Sequence, residues 1–332
     1  MEPNTFKDTL CLDNISREGQ IALDNSILII RSGSFLYGLN TPTSDEDYVG
    51  IFIPPMEYLF GTKTCEQVDL SVKSKLANGK NSMEAKDITF YSIQKFVKLA
   101  LDNNPNILET LFVNEENIMY INELGERLLQ YNKDFVSKRA EMTFFGYVKS
   151  QEKKIRAKKE TFDMLKNSIE YLNTFDKTPL IELSLTNEDF DKYFKTTQHY
   201  FKVADYNIEK TITCKRAVQV LQDILGNGTN RRELIEINGY DTKFASHILR
   251  LLVQLESLCD EGKMTFPIQN REDILKTKLG EYSLDEVEAK IDEYKEKVRS
   301  KVHKLQDKEP KIVRIENILV EIVYEHFVSK LN

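Results

Sequence analysis

The spacing of apolar residues changes character along this chain, and that change restricts the fold to a mixed type. Ile27-Leu28-Ile29-Ile30 is a short aliphatic run that ends at Gly33 and reads as a buried strand. Val49 to Pro55 (VGIFIPP) is a second, stopped by its two prolines. Val68, Leu70 and Val72 alternate, the polar stretch Ala77 to Ser82 reads as a turn, and Ile88 and Phe90 resume the apolar face. That pattern predicts a hairpin. From Tyr91 the period becomes helical, with Ile93, Phe96, Val97, Ala100 and Leu101 on one face. Asn103-Asn104-Pro105 breaks this helix and Ile107, Leu108, Leu111 and Phe112 begin another. Beyond about residue 135 the expected helices cover Phe135 to Lys166, Asn187 to Gln198, Ile212 to Leu225, Lys243 to Glu261, Leu284 to Gln306 and Ile315 to Ser329. The expected class is α+β: a mixed sheet with flanking helices over residues 1–134, followed by an all-helical domain over 135–332. A length of 332 residues with 41% hydrophobic side chains supports two cores of ordinary size.

Composition excludes several classes. The longest aliphatic run has four residues, far from the roughly 20 that cross a bilayer. The N-terminus MEPNTFKDTLCLDN is polar and acidic, unlike a secretory signal. Cys11, Cys65, Cys214 and Cys259 are scattered, with no CxxC pair and no histidines at metal spacing, so neither a disulfide framework nor a zinc site is expected. A cytoplasmic location is the expectation. The net charge of −7 argues against general adhesion to nucleic acid, but a local basic groove is compatible with it.

The stretch from Arg31 to Ile51 (RSGSFLYGLNTPTSDEDYVGI) carries the chemistry. Asp45 and Asp47 lead into the second strand. In extended chain, residues two apart project to one face, so these carboxylates face together. Two carboxylates that close either share a proton or hold a divalent cation. Oxygen ligands without histidine or cysteine favour Mg²⁺ or Mn²⁺. Gly33 and Ser34, just ahead, offer unhindered backbone N–H groups and a hydroxyl, which suits a phosphate chain. Together these parts describe metal-assisted phosphoryl chemistry.

Gly33-Ser34 with Asp45-x-Asp47 resembles the signature of the DNA polymerase beta superfamily of nucleotidyltransferases. More closely, SGSFLYGLNTPTSDEDYVGIFIPP is similar to predicted nucleotidyltransferases of the RNA repair pathway polymerase-beta family. Lys95-Phe96, the Asn104-Pro105 to Phe112 segment, Phe145 to Gln151, Gly239 to Leu252 and Gly280 to Glu286 resemble further family blocks in the same order. The resemblance implies two-metal transfer of a nucleoside monophosphate from an NTP to a hydroxyl, with release of pyrophosphate. Asp45 and Asp47 would hold two Mg²⁺ ions, with Mn²⁺ as an alternative. It also implies a third acid on a neighbouring strand. Asp87 is the choice, because it precedes the Lys95-Phe96 helix and lies opposite Ile88 and Phe90 in the pleat; Glu84 and Asp69 are its rivals. The sequence departs from the family at Phe35, where a basic or polar residue is common, and at Phe244, where histidine is usual.

Lys243, His247 and Arg250 stand at i, i+4 and i+7, opposite Ala245, Ile248, Leu249 and Leu252; Asp241 could cap that helix. With the family block, these three are expected to contact nucleotide phosphates. Lys149, Lys153, Lys154, Arg156, Lys158 and Lys159 form the densest basic segment, and Lys149, Gln151, Lys153, Lys154 and Arg156 are expected to contact nucleic acid, an RNA 3′ end being the implied acceptor. Two other readings remain open at this level. One is an antitoxin-like enzyme that nucleotidylates a protein or small molecule. The other is a nucleotide- or RNA-binding module without turnover.

Overall fold

The computed structural model describes residues 6, 15–42, 44–72, 85–175, 177–226, 235, 237–305 and 307–330. The chain divides into two compact units. One comprises Met1–Lys149, Ile248–Leu275 and Ala289–Asn332; the other comprises Ser150–His247 and Lys276–Glu288.

The first unit begins with α1 (Arg17–Asp24), capped by the Ser16 hydroxyl, which accepts the Gly19 N–H at 3.0 Å. Strand β1 (Ser26–Ser32) runs into the short helix α2 (Gly33–Tyr37), and β2 (Glu46–Phe52) follows. Strands β3 (Gln67–Asp69), β4 (Lys86–Ser92) and β5 (Ile118–Ile121) complete a mixed five-stranded sheet in the order β3-β4-β2-β1-β5. Strands β2 and β4 are parallel; the other pairs are antiparallel. The predicted hairpin is present as β3 against β4, while its turn lies outside the described residues. One sheet face carries Ile29, Tyr48, Ile88 and Phe90 into a core that includes Leu23 and Phe52. Burying each such side chain contributes about 1.5–3 kcal/mol.

Between β4 and β5 lie α3 (Ile93–Leu101) and α4 (Pro105–Leu108), with a 3₁₀ turn Glu109–Phe112. The predicted break is real. Asn103 takes φ 52, its amide donates to the carbonyls of Ala100 and Phe135, and Asn104 caps α4. α5 (Glu123–Gln130) follows β5, and Arg127 pairs with Glu321 and Glu325 of the C-terminal helix.

The later chain is mainly helical. Its long elements are α6 (Arg139–Leu172), α7 (Cys214–Gly226), α8 (Thr242–Glu261), α9 (Leu284–Lys301) and α10 (Ile312–Ser329). The region is not all-helical, however. The helix expected over Asn187 to Gln198 is replaced by a single turn, Phe190–Tyr193, and the start of a three-stranded sheet. In that sheet β6 (Lys195–Thr196), β7 (Tyr200–Val203) and β8 (Tyr206–Glu209) pair antiparallel. Phe201, Val203 and Ile208 point from it into the core of the second unit beside Phe190, Phe194 and Leu221. Tertiary burial of this alternating face overrides the local helical spacing. No helix among the described residues is long and apolar enough to cross a membrane.

Candidate active site

The site starts from one row of the sheet. In register, Ser32 of β1 lies beside Asp47 of β2, and Asp47 lies beside Asp87 of β4. Partners in register share a face, so Asp47 and Asp87 project together from adjacent strands about 4.8 Å apart. Asp45 precedes β2 by one residue and has the strand parity of Asp47. Asp45 and Asp47 are half-buried, and Asp87 is exposed. Tyr48, Ile88 and Phe90 occupy the opposite face, inside the core. The alternation that fills the core thus also puts three acids on the other side. Asp69 is the less favourable rival: it sits on β3, one strand farther from Asp47, beside Thr89, and accepts the Ser71 N–H at 2.9 Å. Glu84 lies outside the described residues.

Gly33 brings the other half of the site against this row. It adopts φ +64, and a Cβ built on it would fall 1.8 Å from Asp47 Oδ2. Only glycine admits both that backbone and that carboxylate. Gly33 and Ser34 open α2, whose N-cap Ser32 is extended and makes no side-chain capping bond. Gly38 ends the helix in the left-handed region, with its N–H donating to the Phe35 carbonyl.

The donor set is entirely oxygen. Among the described residues, no three His, Cys, Asp or Glu side chains enclose a point that could hold an ion. The acids instead line an open face. Such a face fits Mg²⁺ better than Ca²⁺, because Mg²⁺ usually takes one or two carboxylates and fills its shell with water and substrate phosphate.

The basic residues divide. Lys149 is exposed on α6 in the first unit. In the second unit, Lys153 and Lys154 are exposed and Gln151 is half-buried; the side chain of Arg156 lies outside the described residues. Lys154 Nζ stands 5.6 Å from the centre of the Phe244 ring, so the basic segment meets the Gly239 to Leu252 block there. Asp241 caps α8 as predicted, accepting the Phe244 N–H at 3.2 Å. Lys243 is exposed and His247 half-buried.

Arg250 corrects the expectation of a phosphate-facing Lys-His-Arg surface. It is 3% exposed, and its Nη1 lies 2.7 Å from Glu109 Oε2. Nη1 also donates to Gln254 at 3.0 Å and Nη2 to Asn106 at 3.2 Å. A buried guanidinium must meet a counter-charge, and Glu109 supplies it. Glu109 lies in the Asn104-Pro105 to Phe112 segment, where nothing local marks its role, because its partner stands 141 positions away.

Comparison with known proteins finds a family match over the part of the chain that holds the acidic row. Residues 8–172 match the RNA repair pathway DNA polymerase beta family. It is the family that the motifs resemble, and its segment includes every residue of the acidic row. A curated relative, an uncharacterized 38.9 kDa protein in the nrdC-mobD intergenic region of Enterobacteria phage T4, is 25% identical over 294 residues, covering 81% of this chain and 87% of its own. A solved nucleotidyltransferase-like protein from Exiguobacterium sibiricum 255-15 aligns over 98% of this chain and 77% of its own, with 9% identity and a TM-score of 0.25, too weak a likeness to carry weight. The polymerase-beta family match over residues 8–172 and the mixed sheet with flanking helices support a nucleotidyltransferase.

Proposed function

We propose that this protein transfers a nucleoside monophosphate from an NTP to a hydroxyl acceptor, with a 3′ end of RNA as the acceptor and Mg²⁺ as the metal. The observation that carries the reading is the row formed by Asp47 and Asp87 across β2 and β4, with Asp45 alongside and Gly33 beneath the Asp47 carboxylate. A row of like charges is costly in an apoprotein and useful around cations.

Asp45, Asp47 and Asp87 would hold the metal, which when bound polarises the α-phosphate and lowers the pKa of an attacking hydroxyl. Gly33 lets a phosphate approach the backbone beside Asp47, and Ser34 offers a hydroxyl and an N–H to its oxygens. In the transfer, the acceptor oxygen bonds the α-phosphorus and the bond to the β-phosphate oxygen breaks. The hydroxyl proton leaves to solvent and pyrophosphate departs. Lys243 and His247 are proposed phosphate contacts. Lys149, Lys153, Lys154, Arg156 and Gln151 are proposed contacts to the acceptor backbone, whose charge such cations neutralise.

The test is incubation with Mg²⁺, each labelled NTP in turn, and a panel of tRNA, nicked tRNA, short RNA, DNA and the protein itself. Label on RNA, absent with the Asp45→Ala/Asp47→Ala variant, supports the proposal. Label on polypeptide would replace it with a protein-nucleotidylating activity. NTP binding without any label would leave a binding module.

A further inference from the structure

Helix α2 is held from outside the segment that carries the acids. Its last residue, Tyr37, donates its hydroxyl to Glu109 Oε1 at 2.7 Å. The Arg250 guanidinium lies 4.4 Å from the centre of the Tyr37 ring while it pairs with the other oxygen of Glu109. Gln254 donates to that same Glu109 oxygen at 2.9 Å. The backbone is held as well. The Tyr37 carbonyl accepts the Ile268 N–H at 3.1 Å, and a Cβ on Gly38 would fall 2.8 Å from Pro267. Arg250, Gln254, Pro267 and Ile268 all lie in 248–275, one of the two stretches of later chain that belong to the first unit.

We infer that Arg250, Glu109 and Tyr37 form a brace that fixes the Gly33–Ser34 turn against Asp47, and are positioning residues for the proposed transfer. The inference rests on the nucleotidyltransferase reading. The reasoning is geometric. α2 has only five residues, so a displacement of Tyr37 is carried to Gly33 within one and a half turns. Gly33 cannot shift toward Asp47, whose carboxylate already fills the place of a Cβ. The planar guanidinium suits the task, because one group can pair with a carboxylate, donate to two amides and stack on a ring. The Tyr37 phenol is pushed well above its ordinary pKa, first by desolvation; Arg250 pulls against this, and Glu109 and Asp47 add to it. The phenol therefore stays a donor at any working pH. The field of Asp47 also reaches the brace.

Tyr37→Phe tests this in the full chain. It keeps the ring under Arg250 and removes only the hydroxyl. Tyr294→Phe is the control, since the Tyr294 hydroxyl also donates to a carboxylate, Asp273, within the same unit but takes no part in the Arg250–Glu109–Tyr37 group. Three quantities are read: the thermal midpoint, hydrogen exchange over residues 33–38, and KM against kcat for the NTP. The expected result is a KM raised about tenfold in Tyr37→Phe, with faster exchange at 33–38 and a midpoint like that of the control. Tyr294→Phe should leave KM and that exchange as in the wild type. Unchanged KM in Tyr37→Phe would overturn the inference, even with faster exchange, because a merely structural contact behaves that way. Should Tyr37→Phe fail to fold, Arg250→Lys is read by the same criteria, since it keeps the charge and loses the fork. A wild-type chain that turns over no NTP would sink the functional reading; exchange at 33–38 would still decide whether the brace holds the turn.

Discussion

Two clusters of charge in the first unit follow opposite rules. At the start of the interior strands β2 and β4, Asp45, Asp47 and Asp87 gather like charges on one face, half-buried or exposed. Around Arg250 each charge meets its opposite, and Arg250 and Glu109 are both 3% exposed. The first arrangement gains from a ligand that supplies positive charge. The second is complete as it stands. The difference separates a candidate site, where carboxylates gather near solvent, from its scaffold, where opposite charges are matched in the interior. Arg250 looked like the former in the sequence and is the latter in the fold.

Substitutions can break this contrast, beginning with the largest effect. Asp45→Ala/Asp47→Ala should lower nucleotidyl transfer at least about 10³-fold, roughly 4 kcal/mol of transition-state stabilisation, without lowering the thermal midpoint. A midpoint that drops sharply would mean these acids are structural after all. Arg250→Ala should do the reverse to stability. It strands Glu109 and should cost about 3 kcal/mol or more in urea unfolding. A loss under about 1 kcal/mol would mean that the pair is effectively solvated.

The choice of third acid sharpens the first cluster. Asp87→Asn should reduce transfer about 10²-fold, and Asp69→Asn should stay within about twofold, because Asp69 is one strand too far from Asp47. The opposite ranking in the same assay would move the third ligand to β3.

A third buried group extends the comparison. His326 is 7% exposed, and its Nε2 has no hydrogen-bond partner. Burial, with Lys330 nearby, pushes its pKa down to about 4. Unlike Arg250, it meets burial by remaining neutral. The unfolded chain takes up this proton near pH 6.5 and the folded chain near 4. Its contribution is therefore present above 6.5 and lost as pH falls toward 4, a change of about 3 kcal/mol. Unfolding free energies of wild type and His326→Gln across that range should differ in slope; parallel curves would refute the assignment. Gly33→Ala adds about 1–2 kcal/mol of backbone strain and displaces the Asp47 carboxylate, so it should lower both the thermal midpoint and nucleotidyl transfer.

The sheet and the acidic row were legible because both follow a period of two. Ile88 and Phe90 point to the core, so Asp87 must point away, and the pairing of Asp47 with Asp87 follows once β2 and β4 are neighbours. Strand β5 gave no such signal: Ile118 to Ile121 are all half-buried, with no alternation to detect. The β7–β8 hairpin turns through Ala204 at φ 49 and Asp205, without the Asn-Gly pair that usually marks such turns. The Arg250–Glu109 pair was illegible for a different reason. Helical spacing put Arg250 on a face with Lys243 and His247, and nothing local says which charge finds a buried partner far along the chain.

The most direct test compares two RNAs, identical except that one ends in a 3′-hydroxyl and the other in a 3′-deoxy nucleotide. Each is incubated with the full chain, Mg²⁺ and labelled NTP, and joined label and released pyrophosphate are counted together. Label and pyrophosphate in equal amounts from the hydroxyl end alone, lost in Asp47→Ala, is the predicted result. Equal label on both RNAs, or pyrophosphate with no label on RNA, would contradict transfer to an RNA 3′ end.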